Sequence, residues 1–155
     1  MGEKLIIDLK KTAPAGVPTM PRPQTQSTPK EKVSGLSGSL LVIEDDSFMR
    51  GLLADRAKKA GLTVADTMDA ERGLQLLSSS KPDVILLDLM LPGMDGYEFL
   101  LELKKRHIED VDVIVLSNLG RREDIDRAIE LGACDYLVKA NFTLEGILEK
   151  VREHL

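Results

Sequence analysis

Apolar residues along this chain gather in five short runs, and each run is followed by a segment with helical spacing. The runs are Leu40–Ile43, Leu62–Ala65, Val84–Leu87, Val111–Leu116 and Tyr136–Val138. Val84-Ile85-Leu86-Leu87 is apolar without alternation, as expected of a strand covered on both faces. Between the runs, apolar residues recur at helical intervals, as in Met49, Leu52, Leu53, Ala57 and Ala60. Leu144, Ile147, Leu148, Val151 and Leu155 repeat that stripe near the end. Asp46, Asp69, Asp95 and Thr143 stand where helix N-caps belong, and Gly61 and Gly132 where helices should stop. Strand–helix alternation of this kind implies right-handed crossovers and a parallel sheet between two helical layers. The expected fold class is α/β, a doubly wound five-stranded parallel sheet flanked by five helices.

Ahead of the first run the character of the chain is different. Residues 12–39 hold five of the seven prolines, together with Ser, Thr, Gln and Gly, and show no sustained periodicity. That composition buries too little apolar surface to offset chain ordering, so 1–39 is expected to be a disordered tail and 40–155 the folded domain. The net charge of −5 is unevenly shared: residues 1–39 sum to +3, leaving −8 for the rest. An acidic body, few aromatic residues and no Trp argue against direct nucleic-acid binding. The N-terminus lacks the apolar core of a secretion signal, and no stretch is long and apolar enough for a membrane span. A cytoplasmic location is the resulting expectation. Cys134, the single cysteine, cannot form an internal disulfide and is expected to pack as a small buried hydrophobe.

In doubly wound sheets, functional groups collect beyond the carboxyl ends of the strands. Beyond the first run come Glu44, Asp45 and Asp46; beyond the third, Asp88; beyond the fourth, Ser117 and Asn118; beyond the fifth, Lys139. Each has a plain structural alternative. Asp45 or Asp46 could cap a helix, Asp88 could form the turn before Pro92-Gly93, and Ser117 and Lys139 could be ordinary surface groups. Their coincidence on one edge changes the balance. Three crowded carboxylates repel, so a proton or a cation must neutralise them. All-oxygen ligands suit Mg²⁺, which commonly shares its site with phosphate. Asp88 is then a natural nucleophile toward phosphorus, with Ser117 and Lys139 to hold phosphoryl oxygens. Backbone N–H groups after the third and fourth strands are placed to help. No general base is needed, because an aspartate is ionised at neutral pH.

Four motifs carry a resemblance to a known family: Leu-Val-Ile-Glu-Asp-Asp (41–46), Leu-Leu-Asp-Leu-Met-Leu-Pro-Gly-Met-Asp-Gly (86–96), Val-Leu-Ser (115–117) and Asp-Tyr-Leu-Val-Lys (135–139). In order and spacing, residues 40–155 resemble a receiver domain of the two-component response regulators. The resemblance implies that Asp88 accepts a phosphoryl group from a histidine kinase or a histidine phosphotransfer protein. It implies an Mg²⁺ site made by Asp45, Asp88, the Met90 backbone carbonyl and, through water, Glu44. It further implies a switch in which Ser117 moves toward the phosphoryl group and Tyr136 turns into the space left, repacking the α4–β5–α5 face. A phosphorylated signalling protein, and not an enzyme, is the expectation. Ala140 stands where the family usually has a cis proline, and a cis bond before a non-proline costs ~2.5–4 kcal/mol. The resemblance therefore implies either a trans bond with a reshaped Lys139 loop or retained strain.

The chain ends one helix after Lys139, so the expectation is a stand-alone receiver whose output passes to a downstream protein target or a homodimer. Rival readings fit less well. A nucleotide- or flavin-binding domain would want a Gly- or Ser/Thr-rich loop where Glu44-Asp45-Asp46 stands. A dehalogenase-like phosphatase would place its nucleophile after the first strand. A receiver-like interaction module that is never phosphorylated is the remaining alternative. Met90 and Leu119, two residues past Asp88 and Ser117, are both apolar and cannot orient a water, which predicts a long-lived phosphorylated state.

Overall fold

The computed structural model describes residues 33–155. Five strands, β1 (Ser39–Ile43), β2 (Thr63–Thr67), β3 (Val84–Leu87), β4 (Asp112–Ser117) and β5 (Asp135–Val138), form one sheet. Its order is β2-β1-β3-β4-β5, and every pairing is parallel. Helices α1 (Ser47–Ala60), α2 (Ala70–Ser79), α3 (Gly96–Lys105), α4 (Arg122–Glu130) and α5 (Leu144–Arg152) alternate with the strands. The doubly wound five-stranded α/β fold is the one the apolar runs predict.

Alternation along the strands sorts their side chains into two cores. Leu41, Ile43, Ile85, Leu87, Val113 and Val115 face α2, α3 and α4, where Leu74, Phe99 and Ala128 fill the layer. Leu40, Val42, Val84, Leu86, Ile114, Leu116 and Leu137 face α1 and α5, against Leu53, Ala57, Ile147 and Val151. Burial on both faces is why β3 contains no polar position: all four of its residues are buried.

The helix ends follow local rules. Asp46 accepts from the backbone N–H groups of Phe48 and Met49, and Asp69 from that of Arg72. Thr143 accepts from Gly146 N, and Asp95 forms a reciprocal capping box with Glu98. α1 stops at Gly61, whose φ of 117° is left-handed and where a side chain would collide with the Leu36 carbonyl. α4 is followed by Gly132 at φ 113°, a second left-handed stop.

Three features differ from the expectations. β2 runs on through Asp66 and Thr67, because as an edge strand it tolerates polar residues while pairing with Val42 and Ile43. The residues just ahead of β1 pack on the domain: Leu36 N donates to Ala60 O at 2.8 Å, Val33 N donates to Glu145 Oε1 at 2.8 Å, and Glu145 also pairs with Arg56. The rest of the expected tail, 1–32, lies outside the described residues. Cys134 is exposed, not buried, because Ala133 takes the inward position of that loop. No helix among the described residues is long and apolar enough to cross a membrane.

Candidate functional site

The sheet order places β1 beside β3, and the chain leaves β1 toward β2 on one side before returning to β3 on the other. Crevices form where strand order reverses in this way. Here the reversal brings the residues after β1 against the residue after β3. Asp88 N donates to Ile43 O at 3.0 Å, which locks the two strand ends together just before the carboxylates diverge. Glu44, Asp45 and Asp88 each offer a carboxylate oxygen, and these oxygens lie within 4.8 Å of one another. Glu44 and Asp88 are buried, at 2% and 6% exposure, whereas Asp45 is exposed to the mouth of the site.

Lys139 crosses to this cluster from the end of β5. Its ammonium stands 2.7 Å from Glu44 Oε1 and donates a 3.1 Å hydrogen bond to Asp88 Oδ2. One cation contacts two of the three carboxylates but cancels only one unit of charge, leaving the cluster with excess negative charge toward Asp45. Burial pushes the Glu44 carboxyl above its ordinary value; the hydrogen bond from Lys139 opposes that, and the Asp88 charge adds to it. For Lys139, burial pulls downward but is outweighed by the hydrogen bond to Glu44 and the two carboxylate charges, so its ammonium is held above the usual lysine range.

The Lys139–Ala140 peptide is trans, since no cis bond occurs among the described residues. The chain instead passes through a single 3₁₀ turn, Lys139–Asn141, closed by Phe142 N donating to Lys139 O. The ammonium reaches both carboxylates from this proline-free loop.

The remaining predicted residues stand around the same edge. Asp88 Oδ1 accepts from Met90 N at 3.1 Å, and the Met90 side chain is exposed. Ser117, at the end of β4, is fully buried, and its Oγ accepts from Leu119 N at 3.3 Å. Tyr136 on β5 is half-buried, with its hydroxyl donating to Leu119 O at 2.6 Å. Burial is the main reason its phenol is pushed up to about 12, with the Ser117 hydroxyl acting in the opposite direction. Asp46 faces away as a helix cap, although its amide donates to Glu44 Oε2 at 3.1 Å.

Two further residues, neither at a strand end, position this edge. Arg50, one turn into α1, donates from Nη1 to Glu44 O at 2.8 Å and from Nε to Asp66 Oδ1 at 3.2 Å. It ties the backbone of the acidic segment to the β2 edge, and the unforeseen extension of β2 supplies its second anchor. Gly96 begins α3 against Asp88, where a Cβ would stand 2.6 Å from the Asp88 carbonyl oxygen. A glycine in the motif stretch was visible, but its distance from Asp88 was not.

A buried aspartate at a switch point, flanked by two further acids, an ammonium and a buried hydroxyl, defines a receiver-type signalling domain. The model of the response regulator receiver domain matches residues 40–152, and the chain belongs to that family. Among curated relatives, a probable transcriptional regulator, ycf27, of Guillardia theta is 38% identical over 110 residues, 71% of this chain and 40% of that protein. The transcriptional regulatory protein AfsQ1 of Streptomyces coelicolor is 42% identical over 103 residues, 65% of this chain and 44% of that protein. A protein-glutamate methylesterase/protein-glutamine glutaminase of Treponema denticola is 39% identical over 121 residues, 75% of this chain and 32% of that protein. The chain thus spans less than half the length of these three relatives. Among solved structures, the receiver domain of Francisella response regulator 1452 superposes with a TM-score of 0.69 at 29% identity, covering 74% of this chain and 93% of that one. The BeF3-activated N-terminal receiver domain of RstA from Klebsiella pneumoniae gives 0.69 at 28% identity, covering 75% and 97%.

Proposed function

We propose that this chain is a phosphoacceptor receiver in which Asp88 takes a phosphoryl group from the phosphohistidine of a histidine kinase or histidine phosphotransfer protein. One observation carries the reading. Three carboxylates from two strand ends share a pocket with a single ammonium from a third, and that arrangement has little structural use but suits phosphoryl transfer. An Asp88 carboxylate oxygen forms the new bond to phosphorus as the phosphorus–nitrogen bond to the donor imidazole breaks. The imidazole departs with the bonding pair. Lys139, already on Asp88, is positioned to bind a phosphoryl oxygen, and Ser117 would hydrogen-bond a second once its hydroxyl turns outward.

The donor set fits Mg²⁺, being made only of oxygens with excess negative charge. Asp45, Asp88 and the Met90 carbonyl would hold the ion directly and Glu44 through water; the ion would supply neutralisation of charge between phosphoryl and carboxylate oxygens. Output, on this reading, leaves through the surface of α4, β5 and α5, toward a downstream protein target or a second copy of the chain. On the same reading the domain works in the cytoplasm.

The test is intact-mass measurement after incubation with a small acyl phosphate and Mg²⁺. The expected result is a gain of one phosphoryl mass in the natural chain and none in Asp88→Asn. Equal behaviour of the two, with no gain in either, would leave an unphosphorylated interaction module.

A further inference from the structure

A second cluster of metal-ligating side chains lies at the opposite edge of the sheet. Asp112 is the first residue of β4, Cys134 precedes β5, and His154 follows α5. Asp112 is about 17 Å along β4 from Ser117, so this cluster is independent of the phosphoacceptor pocket. One ligand atom from each of Asp112, Cys134 and His154 lies within 4.8 Å of the others. His154 Nδ1 is 2.9 Å from Asp112 Oδ2 and 3.6 Å from Cys134 Sγ. Around a tetrahedral zinc ion, nitrogen–oxygen and sulfur–nitrogen ligand separations are about 3.3 and 3.5 Å, from bond lengths near ~2.0 and ~2.3 Å. The two observed distances fall within about 0.4 Å of those separations.

A separate feature supports the same reading. On the far side of the imidazole, His154 Nε2 faces Asp135 Oδ2 at 3.8 Å. Histidines that ligate a metal through one nitrogen commonly present the other N–H to a carboxylate, which fixes the ring and its tautomer. Asp135 is itself fixed, because its Oδ1 accepts from Tyr136 N at 2.8 Å. Cys134, His154 and Asp112 thus supply three ligand atoms, and the Asp135 carboxylate lies on the free side of the imidazole, somewhat beyond hydrogen-bond length. His154 and Asp112 are half-buried and Cys134 is exposed, so an ion can enter from solvent.

We propose that Cys134, His154 Nδ1 and Asp112 bind a divalent cation of Zn²⁺ type, with Asp135 orienting the imidazole and a water in the fourth position. Mixed sulfur, nitrogen and oxygen ligands select zinc and its neighbours over Mg²⁺, whereas the Glu44, Asp45 and Asp88 oxygens have the reverse preference. On binding, the Cys134 thiol, now bonded to Val113 O at 3.2 Å, loses its proton to solvent as the metal–sulfur bond forms. The imidazole keeps one proton, on Nε2. The ion would clip the end of α5 to the starts of β4 and β5.

Co²⁺ titration of the full chain under reducing conditions, with excess Mg²⁺ to occupy the acidic pocket, tests this. The chain has one cysteine, so thiolate-to-cobalt charge-transfer absorption can come only from Cys134. The expected result is that band saturating at one equivalent, absent in Cys134→Ser, and bleached by Zn²⁺. Competition with a chromophoric chelator should show Zn²⁺ affinity falling at least ~10-fold in Asp135→Asn and further in His154→Gln. Asp45→Asn, at the other edge, should leave both readouts unchanged. Circular dichroism verifies that each variant is folded. Absence of the thiolate band, or equal Zn²⁺ affinity in the natural chain and Cys134→Ser, would overturn the proposal.

Discussion

The Tyr136 hydroxyl donates a 2.6 Å hydrogen bond to the carbonyl of Leu119, two residues beyond the buried Ser117. That bond couples β5 to the loop after β4. The aromatic ring cannot leave its half-buried position without freeing the Leu119 carbonyl, and the loop cannot shift without losing the phenol. A change at Ser117 therefore has a direct mechanical route to the β5 surface.

Tyr136→Phe should cost about 1 kcal/mol, the usual net worth of one such bond, read as a lowered urea midpoint with unchanged slope. The same residue sets an alkaline limit. Its folded-state value of about 12 lies above the ordinary 10.0, so the unfolded chain releases the phenolic proton first. Stability from this group is complete below pH 10.0 and is lost as pH rises toward about 12. Ultraviolet phenol titration should show two tyrosines ionising late, since burial also raises Tyr97, and Tyr136→Phe should remove one component.

Lys139 holds the oxygens that a metal ion would need. Removing it as Lys139→Ala takes one positive charge from beside Glu44 and Asp88, so Mg²⁺ should bind roughly tenfold more tightly. Phosphorylation should nonetheless slow, because the ammonium for the phosphoryl oxygen is gone. Calorimetric Mg²⁺ titration and the initial rate of phosphoryl incorporation should move in opposite directions. Parallel movement would exclude competition between ammonium and ion.

Burial raises Glu44, so it takes up its proton at a pH where an ordinary glutamate would still be charged. Raised folded-state protonation means that the charged form of this group costs stability at neutral pH, a cost relieved as pH falls through its folded value. Mg²⁺ binding needs the opposite state. Its affinity should start to fall on acidification while the pH is still above the usual glutamate range. In Glu44→Gln the affinity should be lower at neutral pH and lack this early loss.

The strands and helices were legible because burial on both faces leaves an unmistakable apolar run, as in Val84–Leu87. The end of β2 was not, since Asp66 and Thr67 are polar and are held by pairing with β1 rather than by burial pattern. The clustering of acidic groups, hydroxyl and ammonium on one edge was legible as residue types at strand ends. Their pairing was not: that Lys139 approaches Glu44 more closely than Asp88 depends on a loop whose path the missing proline left open. Cys134 misled for a related reason, because an apolar neighbourhood in sequence does not say which of Ala133 and Cys134 points inward. Arg50 lies six residues from Glu44 and reads as an ordinary helix charge until its bond to the Glu44 carbonyl is seen.

Gly96 leaves no space for a side chain: a Cβ would stand 2.6 Å from both the Asp88 carbonyl oxygen and the Leu89 Cα. Both contacts are backbone, so neither yields by rotating a side chain. Gly96→Ala should cost ~1–3 kcal/mol through forced displacement of α3 or of the Asp88 segment. If the segment moves, phosphoryl incorporation drops along with the melting temperature. If α3 moves, only stability changes.

Hydrolysis of an acyl phosphate at Asp88 requires a water aligned with the phosphorus on the side opposite the carboxylate oxygen. Met90 and Leu119 are the residues two past Asp88 and Ser117, and each amide is turned inward, toward Asp88 Oδ1 and Ser117 Oγ respectively. Their side chains are apolar, and Met90 is largely exposed, so it can cover the phosphoryl group without offering a hydrogen bond to an incoming water. Positioning of a nucleophile is a large part of phosphoryl-transfer catalysis, so its absence should make the phosphorylated state persist. Met90→Asn places a hydrogen-bonding amide at the same point and should shorten the lifetime by about tenfold, less than the ~10²-fold that a ~1 Å misplacement of reacting groups can cost. Acid-quenched decay of the phosphorylated chain in Mg²⁺ buffer measures both. A natural-chain half-life of seconds, or an unchanged one in Met90→Asn, would mean that water is oriented by some other group, with the backbone after β3 the first place to look.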